Sequence, residues 1–253
     1  MGHLCAGNSM DGRSDSRDVV ARYEATLQRG TVLERSNRFT LLVDVDGQQR
    51  RAYLRNTGGL ETTLEAGRTV LCRPADDEDR KTDFDAIAIS ADGTWVTVDA
   101  TLPNEIFDRC VADGLVPQFE GYRLESREPS LPEGGRTDFR LRSPSGADAY
   151  VEVKSNTWVV DGVSKFPDRP TERGRRHLRH LTSLVGPERE CHVVFVVQRP
   201  DAAVVRPFRS VDPDFADLLS TAVEAGVDVH ALTTRFDPPV VTLEDPDLPV
   251  EVD

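Results

Sequence analysis

Apolar and polar residues alternate in short runs through the first hundred residues, and this period of two predicts β-strands. The runs lie at about 23–27, 31–33, 39–45, 49–54, 69–72, 84–89 and 94–98. Asp46-Gly47 is a hairpin signal, and Asn56-Thr-Gly-Gly is a turn cluster rich in residues that tolerate positive φ. Five or six short strands indicate a small barrel, and a five-stranded OB-type barrel fits this size best.

After residue 100 the pattern changes to helices that alternate with strands. Helices are predicted from Pro103 to Gly114, from Thr171 to about Val185 and from Asp212 onward. Strands are predicted at 122–127, on both arms of a hairpin within 134–154, at 193–197 and at 227–232. The order α-β-β-β-α-β, then α-β, predicts a mixed sheet flanked by helices. We therefore expect an α/β protein with a disordered extension at 1–18, a barrel at 19–100 and a second domain at 101–253.

The composition is strongly acidic, with a formal net charge of −13. Only three of the 31 basic residues are lysines, namely Lys81, Lys154 and Lys165. An acid-rich surface with arginine in place of lysine is typical of proteins that stay soluble at high salt, so we expect a halophilic protein. Net acidity argues against a nucleic-acid partner, but a local basic patch decides more than the total charge.

Cysteine usage and hydropathy predict a reduced, cytoplasmic protein. The four cysteines are scattered and form no C-x-x-C pair, so neither a zinc site nor a disulfide framework is expected. No apolar run approaches the roughly 18 residues that a membrane helix needs. The N-terminal residues carry charges where a signal peptide would have an apolar core. We therefore expect no membrane association.

The predicted hairpin at 134–154 carries the most informative side chains. Glu152 and Lys154 lie two residues apart on one strand and so point to the same face, away from the valines beside them. A carboxylate and an ammonium on an otherwise apolar strand carry a desolvation cost that packing alone does not explain. Asp138 on the first arm adds a second acid, and Glu128 could add a third.

An acid on one strand followed by E-x-K on the next is the arrangement that a metal-dependent phosphodiesterase needs. Asp138 and Glu152 offer the hard oxygen ligands that Mg²⁺ (or Mn²⁺) prefers. Lys154 can orient a water or neutralise phosphoryl charge, so these three residues are the predicted catalytic set. The alternative is a surface Glu–Lys pair, because a chain with 44 acids matches the spacing easily.

The helix that follows the hairpin reverses the charge of the chain. Between Lys165 and His180 there are six basic residues and two acids. Such a reversal beside candidate metal ligands is expected of a groove that follows phosphates, so Arg173, Arg176 and His177 are predicted to bind nucleic acid. The alternatives are a solvated helix face and a zinc pair of His177 and His180.

The barrel interleaves arginines with aromatic residues, a mixture that OB folds use to follow a strand and stack its bases. Arg35, Arg38 and Phe39 belong to this set, and Asn56 of the turn cluster and Arg136 beside the first acid complete the predicted nucleic-acid contacts. Ordinary barrel packing with arginines on the outside remains an equal alternative.

Many short motifs in one order resemble the sugar fermentation stimulation protein (SfsA) family. They are Asn37-Arg-Phe, Asn56-Thr-Gly, Leu102-Pro-Asn, Gly121-Tyr, Gly135-Arg-Thr-Asp-Phe, Val151-Glu-Val-Lys, Phe166-Pro-Asp, Thr171-Glu-Arg-Gly, His177-Leu and Phe195-Val-Val-Gln-Arg-Pro-Asp. The resemblance implies an N-terminal OB domain, a C-terminal PD-(D/E)xK nuclease-like domain, DNA binding and a role in regulating sugar metabolism. The family's acids and lysine fall on Asp138, Glu152 and Lys154. The family usually has Cys-Pro before its Asn-Thr-Gly, whereas this chain has Leu54-Arg55.

We therefore expect a nucleic-acid-binding protein, with DNA as the favoured partner, whose acids bind Mg²⁺ for phosphodiester hydrolysis. The first alternative is a DNA-binding regulator that keeps the nuclease architecture without catalysis. The second is a protein-interaction module whose acids matter only for solubility in salt.

Overall fold

The computed structural model describes residues 19–76, 79–132 and 134–252. The predicted extension at 1–18 therefore lies outside the described residues. A short first strand, β1 (Val19–Arg22), precedes the barrel. The barrel strands are β2 (Gln28–Asn37), β3 (Thr40–Val45), β4 (Gln48–Tyr53), β5 (Thr69–Pro74), β6 (Phe84–Ala91) and β7 (Thr94–Thr97).

The predicted barrel is confirmed, with one more strand than the minimal OB type. Its strands are ordered β4-β3-β2-β5-β6-β7, and a short parallel pairing of β4 with β6 closes the sheet on itself. Val32, Leu41, Val43 and Ile89 are buried inside it. Along β3 the buried side chains alternate with more exposed ones, which is the periodicity that predicted the strands, whereas β6 is buried along almost its whole length.

The second domain contains three helices and nine strands in the described part of the chain, with a short 3₁₀ turn at Pro117–Phe119. Its first half comprises α1 (Leu102–Ala112), β8 (Arg123–Arg127), β9 (Phe139–Arg142), β10 (Asp148–Asn156), β11 (Val159–Val160) and β12 (Val163–Phe166). Its second half comprises α2 (Glu172–Leu184), β13 (Arg189–Val197), β14 (Val204–Pro207), α3 (Pro213–Glu224), β15 (Val227–Asp237) and β16 (Val240–Asp245).

A seven-stranded sheet in the order β1-β16-β15-β13-β10-β9-β8 forms the centre of this domain. Strands β10, β13 and β15 are parallel and rich in valine, because helices cover both of their faces. α1 covers one face through Ile106 and Phe107, and α2 and α3 cover the other through Leu178 and Phe215. The predicted order of helices and strands is present. The small sheet β11-β12-β14 lies beside β10.

Several strand assignments differ from the sequence-based expectation, and the run expected at 23–27 lies between β1 and β2 and is not a strand. Residues 19–22 were expected within the barrel domain, but they form β1, which pairs antiparallel with β16 in the second sheet and so belongs structurally to the second domain. Alternation along four residues cannot show which sheet a strand joins, because that depends on a partner at the far end of the chain. β14 and β16 were not predicted, since each is short and lies next to proline. Within the described ranges, no helix is long and apolar enough to cross a membrane.

Polar contacts fix the barrel against the second domain. The Leu60 backbone N–H in the barrel donates to the carboxylate of Asp168, just before α2, at 2.8 Å. The Thr97 hydroxyl in β7 donates to the Gln198 side chain, and the Gln198 amide donates to Ser155 of β10 at 2.8 Å. Ser155 adjoins Lys154, so the barrel is held at the end of the sheet that carries the predicted catalytic residues.

Candidate metal and nucleic-acid site

Strand β10 buries an acid and a base side by side. Glu152 is 3% exposed and Lys154 is 8% exposed, and the Lys154 ammonium donates to Glu152 Oε1 at 2.7 Å. Both lie on the face that α2 covers, while Val151 and Val153 belong to the core beneath α1. The alternation predicted from the sequence therefore places the pair as expected, and its burial excludes the alternative of an exposed surface pair.

Asp138 reaches the same strand from the turn that leads into β9. Phe139 pairs with Val151, so Asp138 continues the same antiparallel register opposite Glu152. Asp138 Oδ2 accepts a hydrogen bond from the Val153 backbone N–H at 2.8 Å. Its Oδ1 accepts from the side-chain amide of Asn104, in the first turn of α1, at 3.2 Å. The structure therefore brings the two predicted acids together.

His177 turns inward from α2. The Thr171 side chain caps this helix by accepting from the Gly174 N–H at 3.0 Å, and the capped helix places His177 over β10. His177 is buried, its Nδ1 contacts Glu152 Oε1, and it lies 3.3 Å from Lys154 Nζ. His177, which was predicted to contact nucleic acid, therefore contacts Glu152 instead.

Sequence reasoning missed two residues of the site. Asn104 was read as part of a helix start and of the Leu102-Pro-Asn motif, and no role in the site was assigned to it. Thr137 donates to the Val151 carbonyl at 2.7 Å and lies 3.3 Å from Glu152 Oε2. The Asn104 contact has no spacing signal, because it depends on how α1 packs on the sheet, whereas the Thr137 contacts lie within one hairpin.

The two acids have pKa values shifted in opposite directions. Burial raises the pKa of Asp138, and the negative charge of Glu152 raises it further, against the opposing effects of the Val153 N–H and of Lys154. Burial also acts to raise the pKa of Glu152, but the charge of Lys154 and the hydrogen bond from His177 outweigh it and lower that pKa. The negative charge of Glu152 is therefore compensated by neighbouring groups, whereas that of Asp138 is not.

The available donors fit a hard divalent cation. Glu152 Oε2 and Asp138 Oδ1 are carboxylate oxygens that make only long polar contacts, at 3.3 and 3.2 Å. Among the described residues, no group of three or more His, Cys, Asp or Glu side chains could hold a metal, so neither a third acid such as Glu128 nor a zinc cluster at His180 is present. Mg²⁺ is commonly bound by one or two carboxylates with several waters, whereas zinc usually needs three or four protein ligands.

Unpaired arginines surround this acidic centre. Arg173 and Arg176 are exposed on α2, on the turns around His177. Arg136 is exposed next to Gly135, whose φ of +89° and close approach to the His180 ring hold the turn against α2. In the described ranges these three guanidinium groups have no carboxylate partner. Arg175 of the same helix, by contrast, pairs with Asp214 and Asp212.

The basic surface continues onto the barrel. Arg38 is exposed, with its guanidinium 5.4 Å from the centre of the Phe39 ring, and Phe39 is 40% exposed. Burial lowers the pKa of Arg35, and the neighbouring charges of Arg169 and Arg38 add to this effect. Arg169 lies just before α2 and next to Asp168, which accepts from the Leu60 N–H of the barrel at 2.8 Å, so the two basic regions are adjacent at this contact.

Arg35 and Asn56 are used inside the protein. The Arg35 guanidinium donates to the backbone carbonyls of Gly58 (2.9 Å), Gly59 (3.2 Å) and Arg38 (2.9 Å). Asn56 is buried, donates to the Val98 carbonyl and accepts from the Gly58 N–H. These contacts hold the loop that docks on Asp168, and they engage both terminal nitrogens of Arg35.

Fold and site together define a two-domain protein in which an OB barrel precedes an α/β domain with a buried Glu–Lys pair and a partly buried second acid. The chain belongs to the sugar fermentation stimulation protein family. The family model described as the sugar fermentation stimulation protein RE domain matches residues 101–239, and the SfsA N-terminal OB domain matches residues 33–98.

Curated relatives cover most of the chain. The sugar fermentation stimulation protein homolog of Acetivibrio thermocellus is 42% identical over 217 residues, which are 85% of this chain and 92% of that protein. The homolog of Methanothermobacter thermautotrophicus is 39% identical over 209 residues, 83% and 86% of the two chains. The structure of Pyrococcus furiosus SfsA in complex with Ca²⁺ matches with a TM-score of 0.84 and 29% identity, covering 92% of this chain and 99% of that one.

Proposed function

We propose that this protein is a divalent-cation-dependent phosphodiesterase that acts on nucleic acid, with DNA as the favoured substrate. The observation that carries the proposal is the cluster of buried Glu152 and Lys154 with partly buried Asp138, together with arginines on the turn before β9 and on α2 that have no carboxylate partner within the described ranges. In a chain with a net charge of −13, unpaired arginines around an acidic centre are a local reversal of charge. Such a reversal favours a phosphate-bearing ligand.

Asp138 and Glu152 would hold the cation, and Mg²⁺ or Mn²⁺ suits two carboxylate oxygens. The Pyrococcus furiosus relative was solved with Ca²⁺, which also prefers oxygen ligands, and this supports a divalent cation here. When bound, the cation supplies Lewis-acid activation of water and of the phosphoryl oxygen. That the cation is Mg²⁺ or Mn²⁺ is part of the proposal.

The chain's own residues have separate tasks in this proposal. Lys154 places a positive charge beside the reacting phosphate and stabilises negative charge that develops on it. Arg136, Arg173 and Arg176 bind the flanking phosphates, and Arg38 with Phe39 provides a stacking surface on the barrel. Arg35 and Asn56 contribute only by shaping the barrel loop.

We place this activity in the cytoplasm at high salt, on the evidence of composition. Cys72, Cys110 and Cys191 are free and buried thiols, which suits a reducing compartment. At high salt the release of counterions contributes little to binding, so stacking on Phe39 becomes more important.

A DNA-binding regulator without catalysis is the second candidate, and one contact favours it. Glu152 Oε1 is shared by Lys154 and His177, so in this conformation the ammonium is directed to the acid and not toward a substrate. A protein of this kind would use the architecture only as a scaffold for phosphate binding.

The test is incubation of labelled single- and double-stranded DNA and RNA with Mg²⁺, Mn²⁺ or EDTA, at low and high salt. We expect cleavage that needs the cation and falls to background in Asp138→Asn and Glu152→Ala. Asp148→Asn is the matched control, because Asp148 lies at the other end of β10 and pairs with Arg140 at 2.9 Å.

Each other outcome of this assay has a definite meaning. Cation-independent binding without cleavage, equal in wild type and Asp138→Asn, would establish the regulator. An absence of both binding and cleavage at every salt concentration would exclude both functions.

A further inference from the structure

Each of the two acids is held by one side chain from a helix, and the two helices lie on opposite faces of the sheet. α2 contributes His177 to Glu152, and α1 contributes Asn104 to Asp138. The site is therefore clamped from both sides of β10. Neither helical residue belongs to the set of acids and lysine that defines the site.

The contact with His177 fixes which oxygen of Glu152 is available. Lys154 and His177 both engage Oε1, so Oε2 is directed away from them toward Thr137. α2 cannot easily shift, because Leu178 and Leu181 are buried and the Thr171 N–H donates to Asp212 at 2.8 Å. The imidazole is consequently a rigid support for one rotamer of the acid.

Asn104 has the equivalent position on the other face. α1 is anchored by Ile106 and Phe107, which are fully buried, so the Asn104 amide is held against the turn before β9. Its donation to Asp138 Oδ1, together with the Val153 N–H on Oδ2, fixes both oxygens of this carboxylate. An amide gives this orientation without adding charge to the site.

We propose that His177 and Asn104 are positioning residues, which hold the Glu152 and Asp138 carboxylates in the arrangement that receives the cation. This inference rests on the metal site of the proposed function and assigns His177 a role different from contact with nucleic acid. Partners of this kind orient metal ligands, and their loss typically weakens metal affinity or activity by about 10–100-fold.

The test is calorimetric titration of the full-length protein with Mn²⁺ at pH 7.5, with thermal unfolding of every variant. His177→Leu and Asn104→Ala are expected to weaken Mn²⁺ binding by about 10–100-fold while the protein stays folded. His177→Gln, whose amide can still donate to Glu152, is expected to recover most of the affinity. His180→Gln is the matched control on α2, because His180 lies against Gly135.

Unchanged Mn²⁺ affinity in His177→Leu and Asn104→Ala would overturn the proposal, and so would a wild-type protein that binds no Mn²⁺. If His177→Leu does not fold, His177→Gln and His177→Phe decide in its place: equal affinity in both also overturns the role of the imidazole. Wild-type protein that binds Mn²⁺, loses it in these variants and cleaves no nucleic acid would support the positioning role and exclude the phosphodiesterase.

Discussion

Glu152 and Asp138 occupy adjacent positions in the site, yet the protein surrounds them differently. On the α2 side, Glu152 meets an ammonium and an imidazole, and these lower its pKa although it is almost completely buried. On the α1 side, Asp138 meets only an amide and a backbone N–H, and burial with the charge of Glu152 raises its pKa.

The difference shows that Asp138 is the acid whose negative charge the protein leaves uncompensated. A buried ionised carboxylate is costly unless it is paired, and Asp138 is paired only with neutral donors. A divalent cation placed against Asp138 Oδ1 and Glu152 Oε2 would compensate this charge. The contacts on the α2 side thus stabilise the fold. On the α1 side the uncompensated charge of Asp138 destabilises it, and binding of a cation would remove that effect.

Glu152→Gln is expected to have the largest effect on stability. Glutamine keeps the shape of the side chain but removes the charge that pairs with the buried Lys154, so the free energy of unfolding should fall by about 3–5 kcal/mol. Denaturant unfolding at pH 7, followed by circular dichroism, measures this change. The exposed Glu172→Gln should stay within about 1 kcal/mol of the wild type. Equal stability of Glu152→Gln and wild type would show that Glu152 is not the compensated acid.

Asp138→Asn is expected to have a smaller effect of the opposite sign. Without metal the neutral amide removes the repulsion by Glu152, its oxygen can still accept from the Val153 N–H, and Asn104 can rotate to offer its own oxygen. The metal-free variant should therefore be more stable than the wild type, by about 1 kcal/mol, the usual size of a single substitution effect.

The pH dependence of this gain follows from the raised pKa of Asp138. At pH values above the folded-state pKa, Asp138 is ionised in the folded wild type and destabilises it. The stability difference between Asp138→Asn and the wild type is therefore largest in that pH range. As the pH falls through that value the folded wild type takes up a proton, and the gain disappears below the unfolded-state pKa of about 3.9. A gain that grows on acidification would contradict this account.

Much of the architecture could be predicted from local patterns. Strand alternation located the barrel strands and put Glu152 and Lys154 on one face, and the scarcity of lysine singled out Lys154. The hairpin that carries Asp138 on one arm and Glu152 on the other was also predicted, and β9 pairs with β10 there. The strand and hairpin predictions succeeded because each depends on residues that are close in sequence.

The remaining features depend on distant contacts. The inward direction of His177 is set by the way α2 packs on β10, and the contact of Asn104 with Asp138 is set by α1 on the other face. Arg35 and Asn56 looked like ligand contacts, because the sequence does not show that the carbonyls of a neighbouring loop use the Arg35 donors. β1 was assigned to the barrel for the same reason.

The most direct test of a cation site between Asp138 and Glu152 is thermal unfolding of wild type and Asp138→Asn, without and with saturating Mn²⁺. A ligand at 100 times its Kd stabilises the folded state by about 2.7 kcal/mol. We predict a reversal: Asp138→Asn melts higher without Mn²⁺, and the wild type melts higher with it. If Mn²⁺ shifts both proteins equally, or neither, Asp138 and Glu152 do not form a cation site.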